Sequence, residues 1–162
     1  MVQNKLQPGM QLGNYIINEK LTESIFSQVW FAEHGYISKK RICLKIFTNQ
    51  NIIQKFQNHK KIPFFPKVPY LAYIEDFKPN PPFPYLAAEY IAGKSLRQLL
   101  REYKKLDLIK ALTIIKKIVK SLSYLHNQNF PHLDLKPENI IITKDNNIVL
   151  LDYAIGNILT FT

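Results

Sequence analysis

His132-Leu133-Asp134-Leu135-Lys136-Pro137-Glu138-Asn139, followed thirteen residues after Asn139 by Asp152 at the end of an apolar run, is the stretch on which the reading of this chain turns. It brings together one carboxylate able to accept a hydroxyl proton, a lysine two residues on, and an amide plus a second carboxylate able to hold Mg2+. Phosphoryl transfer needs these groups, because positioning and charge neutralisation supply most of its catalysis. Taken alone, Asp134 and Asn139 also suit Asx turns, and Lys136 suits a solvated loop. The phosphoryl-transfer reading gains its weight from what flanks the loop.

On the N-terminal side, Asp107 is the expected N-cap of a long helix with Leu108, Leu112, Ile115, Ile118, Val119, Leu122 and Leu125 along one stripe. That stripe should be buried, leaving Lys110, Lys116, Lys117 and Lys120 as a solvated opposite face. Ser95 is the expected N-cap of a shorter helix carrying Leu96, Leu99 and Leu100. On the C-terminal side, residues 140–143 and 148–151 flank Lys144-Asp145-Asn146-Asn147, a hairpin that presents Asp152.

Closer to the N-terminus, β-favouring bursts at 15–17, 29–32 and 41–47 predict three antiparallel strands. A short helix is expected over 51–61, ended by Pro63, and two more strands over 70–77 and 85–90. The connection between those two strands is stiffened by Pro79, Pro81, Pro82 and Pro84. Ile91-Ala92-Gly93 reads as a linker. The expected class is therefore α+β: a five-stranded antiparallel lobe with one helix over 1–90, and a mainly helical lobe over 91–162.

The string HLDLKPEN resembles the catalytic loop of eukaryotic-type serine/threonine protein kinases, and further resemblances follow in the family's order. Ile42-Cys43-Leu44-Lys45 looks like the strand whose lysine pairs with the α- and β-phosphates of ATP. Glu89-Tyr90-Ile91 resembles the hinge, where the backbone at Glu89 and Ile91 would bond adenine and Ala88 would stand before it as a small gatekeeper. Val29 and Cys43 would line the adenine roof. The resemblance implies Asp134 and Lys136 as catalytic residues, Asn139 and Asp152 as Mg2+ ligands, and ATP with Mg2+ as cofactors. It also implies a two-lobed body of about 250 residues, so the second lobe here should be truncated.

The departures matter as much. In the glycine-rich-loop position, 21–29, Thr22, Ser24 and Ser27 replace the three glycines, which should stiffen the loop. The hydroxyls of Ser24 and Ser27 remain candidates to bond phosphate oxygens. No Asp or Glu lies between Lys45 and Glu75, so the family's lysine–glutamate pair has no acid in the expected helix. Leu133 stands in place of the arginine that reads a phosphorylated activation loop. Asp152-Tyr153-Ala154 stands for Asp-Phe-Gly, which keeps the Mg2+ carboxylate and loses the glycine.

Composition narrows the field further. The chain has 162 residues, of which 46% are hydrophobic, enough to bury a real core. Lys plus Arg number 22 against 12 Asp plus Glu, a net +10 that suits an anionic nucleotide or an acidic partner. Much of that charge lies in pairs such as Lys39-Lys40 and Lys104-Lys105, more typical of solvated faces, so nucleic-acid binding is a minor alternative. Cys43 is the one cysteine, which rules out an intrachain disulfide. With no apolar signal core and no run of about 18 apolar residues, a soluble cytoplasmic protein is expected.

Two readings stay open at this level. One is an ATP-dependent kinase acting on Ser/Thr of a protein substrate. The other is a pseudokinase-like module that binds nucleotide or protein without catalysis. Under either, partners would include a complementary C-terminal lobe or a second copy of the chain.

Overall fold

The computed structural model describes residues 5–58, 62, 65–80 and 82–160, omitting the side chains of 157–160. The expected helix end at 59–61 and two of the prolines, Pro63 and Pro81, fall outside the described residues. The chain divides into two compact units, Met1–Ile62 with Ile74–Tyr90, and Pro63–Tyr73 with Ile91–Thr162.

The first unit is an antiparallel sheet of β1 (Gln11–Leu12), β2 (Tyr15–Glu23), β3 (Ser27–His34), β4 (Arg41–Phe47), β5 (Ile74–Lys78) and β6 (Tyr85–Glu89). Its spatial order is β1-β2-β3-β4-β6-β5, six strands where five were expected. The extra strand, β1, exists because Gly13 turns the chain at φ 59°, and the Tyr85 hydroxyl occupies the space a Cβ would need there.

Side chains in a strand alternate between the two faces of the sheet. On β4, Ile42, Leu44 and Ile46 are fully buried with Ile17, Trp30, Ala32 and Ala87, while Cys43 and Lys45 turn to the other face and are half-buried. Helix α1 (Gln50–Asn58) starts at Asn49, whose Oδ1 accepts the amides of Asn51 and Ile52. It buries Ile53 and Phe56, with the Phe56 ring 3.9 Å from that of Phe47.

The second unit contains β7 (Gly93–Ser95), α2 (Leu96–Tyr103), α3 (Leu108–Asn127), a 3-10 turn at Pro137–Asn139, β8 (Ile140–Thr143), β9 (Ile148–Leu150) and α4 (Tyr153–Thr160). β7, β8 and β9 form a three-stranded antiparallel sheet. Both expected caps form. Ser95 Oγ accepts from the Gln98 amide while the Gln98 side chain accepts from the Ser95 amide, and the Asp107 carboxylate accepts from the Lys110 amide.

Three expectations need correction here. Residues 70–77 are not one strand: only Ile74–Lys78 joins the first sheet, and Tyr70 and Ala72 instead pair through backbone with Leu150. The apolar run 70–74 has no alternation to fix its partner, so tertiary contacts choose it. Helix α4 directly follows Asp152, where no helix was expected.

The expected stripe on α3 is buried only toward its C-terminal end, where Leu125 is buried and Ile118 and Leu122 are half-buried. Leu108, Leu112, Ile115 and Val119 are 72%, 55%, 54% and 54% exposed, whereas Ile114, Ser121 and Leu125 face the interior. Lys110, Lys116 and Lys120 are exposed as expected, Lys120 with its Nζ 5.8 Å from the Tyr70 ring centre, while Lys117 is half-buried and bonds the Asn146 carbonyl.

An exposed Leu, Ile or Val forgoes roughly 1.5–3 kcal/mol of burial, so this face should drive self-association or capture by another surface. The double change Leu112→Gln and Ile115→Gln is expected to alter unfolding free energy by no more than about 0.5 kcal/mol. It should also lower the average mass seen by light scattering at micromolar concentration. A loss above about 2 kcal/mol would instead place this face inside the folded core.

Candidate active site

In the second unit, the segment after α3 is shaped by backbone before any side chain acts. Leu133 takes φ 57°, which folds the chain so that the Asp134 amide donates to the His132 carbonyl at 2.9 Å. His132 is buried, and its Nδ1 accepts from the same amide at 3.4 Å.

The turn presents Asp134, half-buried, with its carboxylate held from two sides. Lys136 Nζ lies 2.9 and 2.7 Å from its two oxygens. Asn139 Nδ2 donates to Asp134 Oδ2 and to the Asp134 carbonyl, both at 2.9 Å. Asn139 is itself buried, and with its amide nitrogen spent on Asp134 its side-chain oxygen is the end suited to a hard cation.

The same loop is tied to the segment carrying Asp152. The Leu151 amide donates to the Asn139 carbonyl at 2.9 Å, and Asp152 follows at φ 59°. Asp152 then begins α4, accepting from the Ile155 amide at 3.1 Å. Tyr153 is buried, and its hydroxyl donates to the Ala72 carbonyl.

Gly156 was not singled out in the sequence. A Cβ there would come 2.7 Å from the His132 carbonyl and 2.8 Å from Leu133 Cβ, so α4 seats on the His132–Leu133 turn only because this residue is glycine. A glycine four residues after Asp152, inside an apolar run, is the signal that could have marked it.

Asn139 and Asp152 offer two hard oxygen ligands, a set that fits Mg2+, which keeps several waters and takes few protein ligands. Among the described residues no group of three or more His, Cys, Asp and Glu is placed to hold a metal ion. A site of this sparse kind suits a cation delivered with a phosphate.

In the first unit, register places the expected nucleotide residues on one face. Val29 pairs across from Lys45, Phe31 from Cys43, and Cys43 in turn from Ala88. Directly opposed residues share a face, so Val29, Cys43, Lys45 and Ala88 lie together on the side away from the buried core. Glu89 pairs with Ile42, and the Tyr90 amide donates to the Arg41 carbonyl. Ile91 opens the second unit. Glu75, the first acid after Lys45, is engaged by Lys40 at 2.6 Å.

At the β2–β3 tip, Ser27 is buried, and the Ser24 hydroxyl accepts from the Phe26 and Ser27 amides.

The chain matches the protein kinase domain family over residues 17–161 and belongs to that family. It is 29% identical to the mouse hormonally up-regulated neu tumor-associated kinase, over 91% of this chain and 21% of that protein. It is 28% identical to the SNF1-like protein kinase ssp2 of Schizosaccharomyces pombe, over 92% of this chain and 26% of that one. The chain thus spans about a quarter or less of these relatives. Among solved structures, the Mycobacterium tuberculosis PknI kinase domain superposes with TM-score 0.76 at 21% identity, covering 93% of this chain and 64% of that domain. The fold is protein-kinase-like and covers part of a kinase domain. Among the described residues, no helix is long and apolar enough to cross a membrane.

Two measurements probe the loop. Burial holds the His132 imidazole below its ordinary pKa of 6.5, with backbone hydrogen bonding and the charges of Asp152 and Asp134 acting in opposition. The unfolded chain therefore binds this proton more readily than the folded one. Stability from this group is complete above about pH 6.5 and is lost as pH falls through the depressed folded value. Urea midpoints at pH 7.5 and 5 should drop for the native protein and drop less for His132→Asn. Separately, Gly156→Ala should cost about 1–3 kcal/mol in denaturant unfolding, because the methyl group meets backbone that must move. A neutral Gly156→Ala would show that α4 does not rest on the loop.

Proposed function

We propose that this protein transfers the γ-phosphoryl group of ATP to a Ser or Thr hydroxyl of a protein substrate. The observation that carries this reading is the Asp134 carboxylate, fixed by Lys136 and Asn139 on a loop bonded to the segment bearing Asp152. Asp134 orients the substrate hydroxyl and accepts its proton as the oxygen attacks phosphorus. Lys136, already poised on that carboxylate, neutralises charge on the transferring phosphoryl group. Asn139 and Asp152 hold Mg2+, which when bound offsets the negative charge of the phosphates.

In the first unit, Lys45 binds the α- and β-phosphates from the sheet face it shares with Val29, Cys43 and Ala88, whose apolar surfaces suit adenine. Backbone groups at Glu89 and Ile91 bond the base edge. A cytoplasmic setting, where ATP and Mg2+ are abundant, goes with this reading. The exposed α3 face goes with a protein partner, either a complementary kinase lobe or a second copy.

A second reading has its own observation. Glu75 is engaged by Lys40, and no acid lies between it and Lys45, so the lysine–glutamate pair that marks an active kinase is not supplied by α1. On this reading the chain is a pseudokinase-like module that binds nucleotide or protein without turnover.

Calorimetry with ATP is expected to show weak binding that requires Mg2+, and Asp152→Ala should remove the Mg2+ requirement. Transfer of labelled phosphate to a generic protein substrate should fall by at least about a hundredfold in Asp134→Asn, the scale of losing a general base. Binding without transfer by the native protein would select the second reading. No heat at millimolar Mg-ATP would sink both nucleotide-binding versions.

A further inference from the structure

The tip joining β2 to β3 is the segment whose chemistry the proposed reaction leaves unexplained. It has no glycine, yet it closes tightly. The Ser24 amide donates to the Ser27 carbonyl at 2.9 Å. The Ser24 hydroxyl accepts from the amides of Phe26 at 3.2 Å and Ser27 at 3.1 Å, and it lies 3.3 Å from the Ser27 carbonyl, to which it can donate. The Phe26 carbonyl in turn accepts from the Thr48 amide at 3.0 Å, which pins the tip to the end of β4. Ile25 and Phe26 are left as the solvent-facing surface, 79% and 48% exposed.

Backbone amides at a strand-to-strand tip are the donors best placed to cradle an anion, because they carry partial positive charge and cost no side-chain ordering. Here the amides of Ser24, Phe26 and Ser27 are all taken, two of them by one hydroxyl. We propose that Ser24 is a positioning residue that locks the β2–β3 tip in a self-bonded turn, closes the Phe26 and Ser27 amides to phosphate, and so sets a low affinity for nucleoside triphosphates. This rests on the nucleotide reading above. Ser24 acts through the shape of the tip and not by holding a phosphate oxygen, since its hydroxyl is already spent, and the Ser27 side chain is buried. Removing the hydroxyl frees two amides at an exposed position whose replacement leaves the buried core intact.

The test compares the native protein with Ser24→Gly and Ser24→Ala by NMR and calorimetry, using tripolyphosphate, adenosine and ATP as separate probes. In the native protein, the Phe26 and Ser27 amides should exchange slowly and ignore tripolyphosphate. In both variants they should exchange faster and shift as tripolyphosphate is added. ATP affinity should rise on the order of tenfold, as expected for one or two new hydrogen bonds to a charged group, with adenosine affinity unchanged. Variant amides that keep native exchange and ignore tripolyphosphate overturn the proposal, as does measurable ATP binding of equal affinity in all three proteins. If tripolyphosphate moves the freed amides while neither ATP nor adenosine binds any of the three, the Ser24 lock stands and the nucleotide reading falls.

Discussion

The second unit is organised around the two-sided hold on the Asp134 carboxylate. Asn139 bonds both the carboxylate and the backbone carbonyl of Asp134, closing a six-residue loop on itself, and Lys136 neutralises the charge so gathered. A carboxylate fixed by charge-assisted bonds has little freedom left to lose when a reacting group arrives. The loop demands a left-handed residue at Leu133 and a buried histidine beneath it, and both are present. The strain at Leu133 is tolerated because the surrounding bonds over-determine the turn.

In the first unit, side-chain placement and backbone conformation are set by different features of one sheet. Strand alternation alone puts Val29, Cys43, Lys45 and Ala88 on one face, so substitutions on the buried face leave that constellation in place. The tip of the β2–β3 hairpin depends on backbone conformation, which glycine ordinarily leaves open. Serine at position 24 supplies a side-chain acceptor that the backbone would otherwise seek in a ligand or in water.

Much of the fold around the candidate site was legible because its signals are local. Ser95 and Asp107 cap their helices through atoms three residues away, and such caps depend on nothing distant. The hairpin before Asp152 was legible for the same reason, from a polar turn between two apolar runs. The face of α3 was legible only toward its C-terminal end. Leu108, Ile109, Leu112, Ile114, Ile115, Ile118, Val119, Leu122 and Leu125 cover most of the helix circumference, so periodicity offers more than one apolar stripe. Which stripe is buried depends on what packs there: β9 contacts α3, and Ile114 and Leu125 are the buried apolar residues of that helix.

The amino-acid sequence by itself determined which chemical groups are available and their order: the lysine of β4 on an alternating strand, then a carboxylate, a lysine and an amide within six residues, then Asp152. It also determined what is lacking, the glycines of the tip and an acid between Lys45 and Glu75. Only the tertiary structure decided that Tyr70 and Ala72 pair with Leu150, that α4 follows Asp152, and that Gly156 lies on the His132–Leu133 backbone. The physical reason is range. Caps, turns and strand alternation are settled by atoms within a few residues, whereas burial and close backbone approach depend on segments distant in the chain, whose arrival no local pattern encodes.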